Sequence, residues 1–198
     1  MSEIEHTPAD NRHSPPRFRL RKTVAMVGMM GSGKTAVGRA VAAKLAVPFL
    51  DSDAEIERAA NLSVPEIFTR DGEPFFRKRE TEVIRRLLET ETGILSTGGG
   101  AYLAAENRAN IARAGVAVWL DADLDLLWNR VRHKDTRPLL RTPDPRATLA
   151  EIFAVRTPIY REAELRVPCA PGLSIDAMAD RVIATLATRA DVLESLDG

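Results

Sequence analysis

Gly28-Met29-Met30-Gly31-Ser32-Gly33-Lys34-Thr35 constrains this chain more than any other segment. The spacing is G-x-x-x-x-G-K-[ST]. It follows an apolar run, Thr23 to Met29, and opens a stretch with Val37, Val41 and Leu45 at four-residue spacing. That order predicts a buried parallel strand, a tight turn and an amphipathic helix whose N-terminus faces the turn. Glycines let successive N–H groups turn inward without Cβ clashes, and the helix dipole adds positive potential, so the loop suits a phosphate. Backbone from Gly31, Ser32, Gly33 and Ala36 would form the cradle. Lys34 would reach the β- and γ-phosphates of a nucleoside triphosphate, and the Thr35 hydroxyl would ligate Mg²⁺.

Beyond this unit, short apolar runs alternate with helical patterns. Phe49-Leu50 begins a second strand ending at Asp51, and Pro48 is expected to stop the helix before it. Asp53 is placed to cap a helix over 54–60. Residues 63–90 read as two helices divided near Asp71-Gly72, with Val83, Ile84, Leu87 and Leu88 as the inward stripe of the second. Ile94-Leu95-Ser96 is a third strand. A helix near 104–114 leads to a fourth strand, Val116 to Leu120, and Asp123 caps the helix holding Leu126, Leu127 and Arg130. Residues 133–145 carry Pro138, Pro143 and Pro145 and read as a mobile loop. A helix over 146–164, a strand at Leu165 to Val167 and a final helix capped by Ser174 complete the pattern. Five strands alternating with helices predict an α/β fold: a five-stranded parallel sheet flanked by helices, with right-handed crossovers. The chain divides into an extension over 1–22, a domain over 23–189 with a lid at about 133–145, and a tail over 190–198 that frays after about Arg189.

Composition narrows the class. Lys plus Arg and Asp plus Glu are 28 each, so the formal charge is zero. That argues against a nucleic-acid partner, which needs a basic excess. No apolar run reaches the roughly 18 residues of a membrane span, so no membrane partner is expected. The N-terminus has no hydrophobic core of a secretory signal, and Glu3, Glu5 and Asp10 fit an organelle transit peptide poorly. The single cysteine, Cys169, excludes an internal disulfide and suits a reducing compartment. A cytoplasmic, monomeric protein is the expectation.

Several residues are candidates for an acceptor site. Asp51 and Asp53 flank Ser52 where the second strand ends, the edge at which parallel sheets bind ligands. One of the two can hold Mg²⁺ through water, and the other can accept a proton from a substrate hydroxyl. Arg77, Lys78 and Arg79 follow Phe75-Phe76, and part of that cationic run should turn inward. Gly98-Gly99-Gly100 directly follows a strand, which favours close backbone approach to a ligand over a plain linker. Arg137, on the lid, can neutralise a transferring phosphoryl group. Arg156 is a candidate anion contact.

Taken together, Gly-Met-Met-Gly-Ser-Gly-Lys-Thr at 28–35, Asp-Ser-Asp at 51–53, Gly-Glu-Pro-Phe-Phe-Arg at 72–77 with Glu80, Ser-Thr-Gly-Gly-Gly at 96–100, Arg-Pro-Leu-Leu at 137–140 and Arg-Thr-Pro-Ile-Tyr at 156–160 resemble the shikimate kinase family. The resemblance runs from about Thr23 to Leu186. It implies a P-loop kinase fold with a mobile lid, ATP and shikimate as substrates, Mg²⁺ as cofactor, and phosphorylation of the shikimate 3-hydroxyl on the route to chorismate and aromatic amino acids. It implies that Asp53 binds the ring hydroxyls and acts as base. Arg77 and Arg156 would hold the carboxylate, and Gly98, Gly99 and Gly100 would give backbone contacts. Arg137 and Arg130 would meet the nucleotide, and Asp51 would position hydrated Mg²⁺. The chain departs from the family pattern near Pro171-Gly172, where it lacks a basic residue facing the base. The competing readings are a related kinase of another polyol acid, such as gluconate, and a nucleotide-binding module without catalysis.

Overall fold

The computed structural model describes residues 18–133 and 138–196. In chain order the strands and helices are β1 (Phe18–Leu20), β2 (Thr23–Val27), α1 (Lys34–Leu45), β3 (Phe49–Asp51), α2 (Ser52–Ala60), α3 (Val64–Asp71), α4 (Glu73–Thr90), β4 (Ile94–Ser96), α5 (Ala105–Ala114), β5 (Gly115–Asp121), α6 (Leu124–Val131), α7 (Pro145–Tyr160), β6 (Leu165–Pro168), α8 (Ile175–Leu186) and β7 (Leu193–Ser195). Short 3₁₀ turns occupy Ala101–Leu103 and Pro138–Leu140.

The main sheet has the order β3-β4-β2-β5-β6, and all four pairings are parallel. β2 lies at its centre and every residue in it is buried, as expected for a strand with helices on both faces. One layer of core packs Ala25, Val27, Leu95 and Trp119 against α4, α5, α6 and α7. The opposite layer packs Val24, Met26, Val118 and Leu120 against α1 and α8. The alternation along β2 sends successive side chains to opposite layers. This arrangement brings the C-terminal ends of β2, β3 and β4 to one edge, where the glycine loop, Asp51–Asp53 and Thr97–Gly100 meet.

Local chemistry sets most boundaries. Ser63 and Glu66 form a reciprocal capping box at the start of α3. Asp123 and Ser174 cap α6 and α8 through their side chains, as expected from the sequence. α1 stops at Leu45, where Ala46 adopts φ of 53°, two residues before Pro48. α7 ends at Tyr160 rather than near 164.

Two expectations need correction. The cap of α2 is Asp51, not Asp53: Asp51 Oδ1 accepts from the N–H groups of Asp53 and Ala54 at 3.0 and 3.1 Å. The strand ends at Asp51 as expected, but the helix starts at once, at Ser52 rather than at 54, so Asp53 falls inside the first turn with its carboxylate released from capping. The ends of the described chain are also part of the fold. β1 pairs antiparallel with β7, and Val192 and Leu193 are buried in the layer under α8, so the chain does not fray after Arg189. Arg21 meets Glu194 at 2.6 Å, and Lys22 meets Asp191 at 2.8 Å.

Candidate active site

Two cavities meet at the sheet edge. The larger, about 520 Å³, runs along residues 30–37 to Arg130, with Thr97, Gly98 and Gly99 on its floor and Leu173, Ile175 and Met178 at its far end. The smaller, about 190 Å³, lies between α2, α3, α4 and α7 and is lined by Phe68, Phe76, Arg77, Glu80, Gly100 and Arg156, among others. Met30, Asp53, Gly98 and Gly99 line both.

The larger cavity has the geometry of a phosphate cradle. Gly33 caps α1 with φ of 98°, a conformation that strains any side chain. Lys34 is buried at the mouth of α1, and its ammonium donates to the carbonyls of Gly28 and Met29 at 2.8 and 2.9 Å. Arg130 reaches over from α6 and donates to the carbonyls of Gly31 and Ser32, both at 3.2 Å. Thr35 Oγ1 lies 3.2 Å from Ser96 Oγ. Ser96 is the register partner of Asp51 in β3. These are hard oxygen groups, which suit Mg²⁺, an ion that keeps several waters and needs few protein ligands. Among the described residues no cluster of three or more His, Cys, Asp or Glu could cage a metal. The Thr35 and Ser96 hydroxyls fit an ion carried largely by phosphate and water.

The smaller cavity is built around two half-buried cations, Arg77 and Arg156, and two carboxylates. Of the three cations in 77–79 only Arg77 turns inward; Lys78 and Arg79 are exposed. Arg77 donates to Glu80 Oε2 at 2.8 Å and to Glu73 Oε1 at 3.2 Å, and its guanidinium lies 5.3 Å from the Phe76 ring centroid. Burial opposes its charge, but Glu80 and Glu73 together hold it above its ordinary range. Glu80 is 1% exposed. Burial raises its carboxyl, and Arg77 works against that shift. The Asp53 carboxyl is pushed up to about 6, chiefly by burial and then by the negative charges of Glu80, Asp51 and Glu57, with Arg77 opposing. Asp53 Oδ1 and Glu80 Oε1 are buried without hydrogen-bond partners. Both residues line the smaller cavity, and a carboxylate oxygen without a partner calls for a hydroxyl or water donor.

The sequence-derived residues converge. Gly31 to Ala36 and Arg130 line the nucleotide-sized cavity; Arg77, Gly98, Gly99, Gly100 and Arg156 line the smaller one or its border, and Asp53 lies between. Asp51 caps α2 beside the cleft rather than lining it. Arg137 lies outside the described residues. Leu173, Ile175 and Met178 make the far end of the larger cavity apolar.

Two residues given no role from the sequence matter in the structure. Glu80 completes the Arg77 pair. Tyr160 donates its hydroxyl to the Gly99 carbonyl at 2.5 Å and is 1% exposed. Burial raises the Tyr160 phenol despite Arg156 and Arg77 nearby, so it stays a donor. Glu80 was visible as the residue three after Arg77 on one helix face. The bond from Tyr160 to Gly99 has no local signal, because the two are 61 residues apart.

A parallel sheet with a phosphate loop after its central strand, and a second cavity at the loop's edge, defines a P-loop phosphotransferase. The model of the shikimate kinase family matches residues 30–187. Shikimate kinase of Ruegeria pomeroyi is 64% identical over 194 residues, covering 98% of this chain and 99% of its own. Among solved structures, shikimate kinase from Acinetobacter baumannii in complex with shikimate superposes with a TM-score of 0.79 at 36% identity, covering 84% of this chain and 93% of that one. A gluconokinase from Sinorhizobium meliloti gives 0.57 at 18% identity, a likeness of fold alone. This chain belongs to the shikimate kinase family.

Proposed function

We propose that this chain transfers the γ-phosphoryl group of ATP to the 3-hydroxyl of shikimate, giving shikimate 3-phosphate and ADP. The observation that carries this reading is the place of Asp53. Asp53 lines both the phosphate-cradle cavity and the Arg77–Arg156 cavity, and its buried Oδ1 has no hydrogen-bond partner. An alcohol bound in the smaller cavity and a triphosphate in the larger would meet beside that oxygen.

The residues divide the work accordingly. Arg77 and Arg156 bind the carboxylate of the acceptor, for which planar guanidinium groups are suited. Asp53 and the glycine turn orient the ring hydroxyls. A carboxyl with pKa about 6 is ionised at neutral pH yet basic enough to accept a proton as transfer proceeds. The acceptor oxygen forms its bond to the γ-phosphorus while the bridging bond to ADP breaks. The electron pair leaves on ADP and the alcohol proton passes to Asp53. Lys34, Arg130 and the cradle N–H groups hold the phosphates, and Arg137 is assigned to the same charge. Mg²⁺, when bound through Thr35 and, by water, Asp51, supplies charge neutralisation on the phosphates. The reaction is assigned to the cytoplasm and to a monomer; no helix among the described residues is long and apolar enough to cross a membrane.

A coupled ADP-release assay with shikimate and gluconate as competing acceptors tests the reading. Turnover is expected with shikimate only. Turnover with gluconate alone would replace the acceptor, and ATP binding without turnover of either would reduce the chain to a nucleotide-binding module.

A further inference from the structure

The glycine turn between the cavities has its carbonyls tied down one by one. Gly98 O accepts from the Ala101 N–H and Gly100 O from the Leu103 N–H, both at 3.1 Å. Farther along, Asn107 donates to Ala101 O at 2.9 Å, and Arg108 donates to the carbonyls of Tyr102 and Leu103 at 3.0 and 2.9 Å. Of the three glycine carbonyls, only Gly99 O takes no backbone donor, and it receives the Tyr160 hydroxyl. The N–H groups of Gly98, Gly99 and Gly100 have no acceptor among the described residues.

Peptide geometry turns this pattern into a positioning device. In a trans peptide the C=O and the following N–H point in opposite directions. The bond from Tyr160 draws Gly99 O toward α7, so it turns the Gly100 N–H the other way, toward the acceptor cavity that Gly100 lines. Tyr160 and Arg156 are one helical turn apart on α7, on the same face. Tyr160 also stacks on Tyr102, just past the glycines, with centroids 6.4 Å apart and planes at 17°. The phenol therefore links the glycine turn to the helix that carries Arg156.

We propose that Tyr160 is a positioning residue for the acceptor: its hydroxyl fixes the Gly99–Gly100 peptide so that the Gly100 N–H and the Arg156 guanidinium present a donor pair at constant separation. The inference rests on the functional reading above and adds a residue that does not touch substrate. Without the hydroxyl the peptide can rotate, and the donor pair loses its alignment while the phosphate cradle on α1 is untouched.

Tyr160→Phe keeps the ring and removes the hydroxyl, and with it both the bond to Gly99 O and the hydrogen bond with Arg156. Its KM for shikimate is expected to rise about tenfold, as for a lost hydrogen bond, with KM for ATP changed less than about twofold. In ¹⁵N-labelled protein the Gly100 amide resonance should move on adding shikimate to the parent and move less in the variant, with the response of Gly31 and Gly33 to ADP preserved in both. Unchanged KM for both substrates, or an equal rise in both, overturns the inference. A parent chain that turns over no shikimate in the same assay overturns the functional reading and this inference with it, and that control is read before the variant.

Discussion

Asp53 and Glu80 meet across Gly98: a Cβ at that glycine would sit 2.9 Å from Asp53 Oδ1 and 3.0 Å from Glu80 Oε1. The two carboxylates come from different helices, α2 and α4, and only a residue without a side chain lets both approach the turn. The same holds two residues along, where a Cβ on Gly100 would lie 2.7 Å from the Arg77 guanidinium. The glycines thus serve the site's own side chains as well as any ligand.

Gly98→Ala should cost activity by a factor of at least about 10, because overpacking a tight site displaces groups that must be placed to within a fraction of an ångström. Gly99→Ala is the control. A Cβ there meets nothing closer than the Met30 nitrogen, at 3.8 Å, so folding and ATP affinity should hold. Steady-state kinetics and melting temperatures of the two variants check the contrast, and equal damage from both would remove the steric account.

Asp53→Asn should nearly abolish turnover, by about 10² to 10⁴, if the carboxylate accepts the alcohol proton. It should also stabilise the fold near pH 7.5. The Asp53 carboxyl has its folded pKa raised from 3.8 to about 6, so between those values the native state holds more protons than the unfolded one. Stability then falls as pH rises through that window, and the penalty is complete above about pH 6. The amide carries no such penalty, so the gain, at most about 1–3 kcal/mol, should be present at pH 7.5 and absent near pH 3.5. Calorimetry at the two pH values decides; a gain at pH 3.5 equal to that at pH 7.5 would contradict it.

Glu80→Gln leaves Arg77 half-buried with the exposed Glu73 as its one remaining salt-bridge partner among the described residues. Losing one side of a buried charged hydrogen bond costs about 1.5–3 kcal/mol, so kcat/KM for shikimate should fall roughly 10- to 100-fold. The KM for ATP should stay within about twofold, since no part of the phosphate cradle touches Glu80.

Truncation separates the paired strand from the residues before it. Removing 1–16 leaves β1 in place, whereas removing 1–20 deletes it and exposes the layer that Leu20 covers. Burial of one leucine is worth about 1.5–3 kcal/mol, so the second truncation should melt several degrees lower than the first. Equal melting temperatures would show that the β1–β7 pair is dispensable.

Much of this molecule was legible along the chain. The phosphate loop, five strands in the right segments and the caps Asp123 and Ser174 are all local patterns, each set by neighbours within a few residues. Asp53 and Arg156 were candidates from residue type and surroundings, whereas the choice of Arg77 from its cationic run came from the resemblance to the shikimate kinase family. The assignment of the α2 cap failed at the local level: Asp51 and Asp53 are equally good capping residues, and the choice fell to a helix that starts directly after the strand, at Ser52.

By itself, then, the order of residues determined the class of fold and the phosphate cradle, since glycine conformation, helix dipole and strand pattern act over short stretches of chain. Tertiary structure alone decided which carboxylates face each other, that Phe18–Leu20 is anchored by a strand near the other end of the chain, and that Tyr160 holds the Gly99 carbonyl. These depend on contacts between residues dozens to more than a hundred positions apart. Such contacts exist only once packing of the sheet and helices has set the distances, and no short-range pattern encodes them.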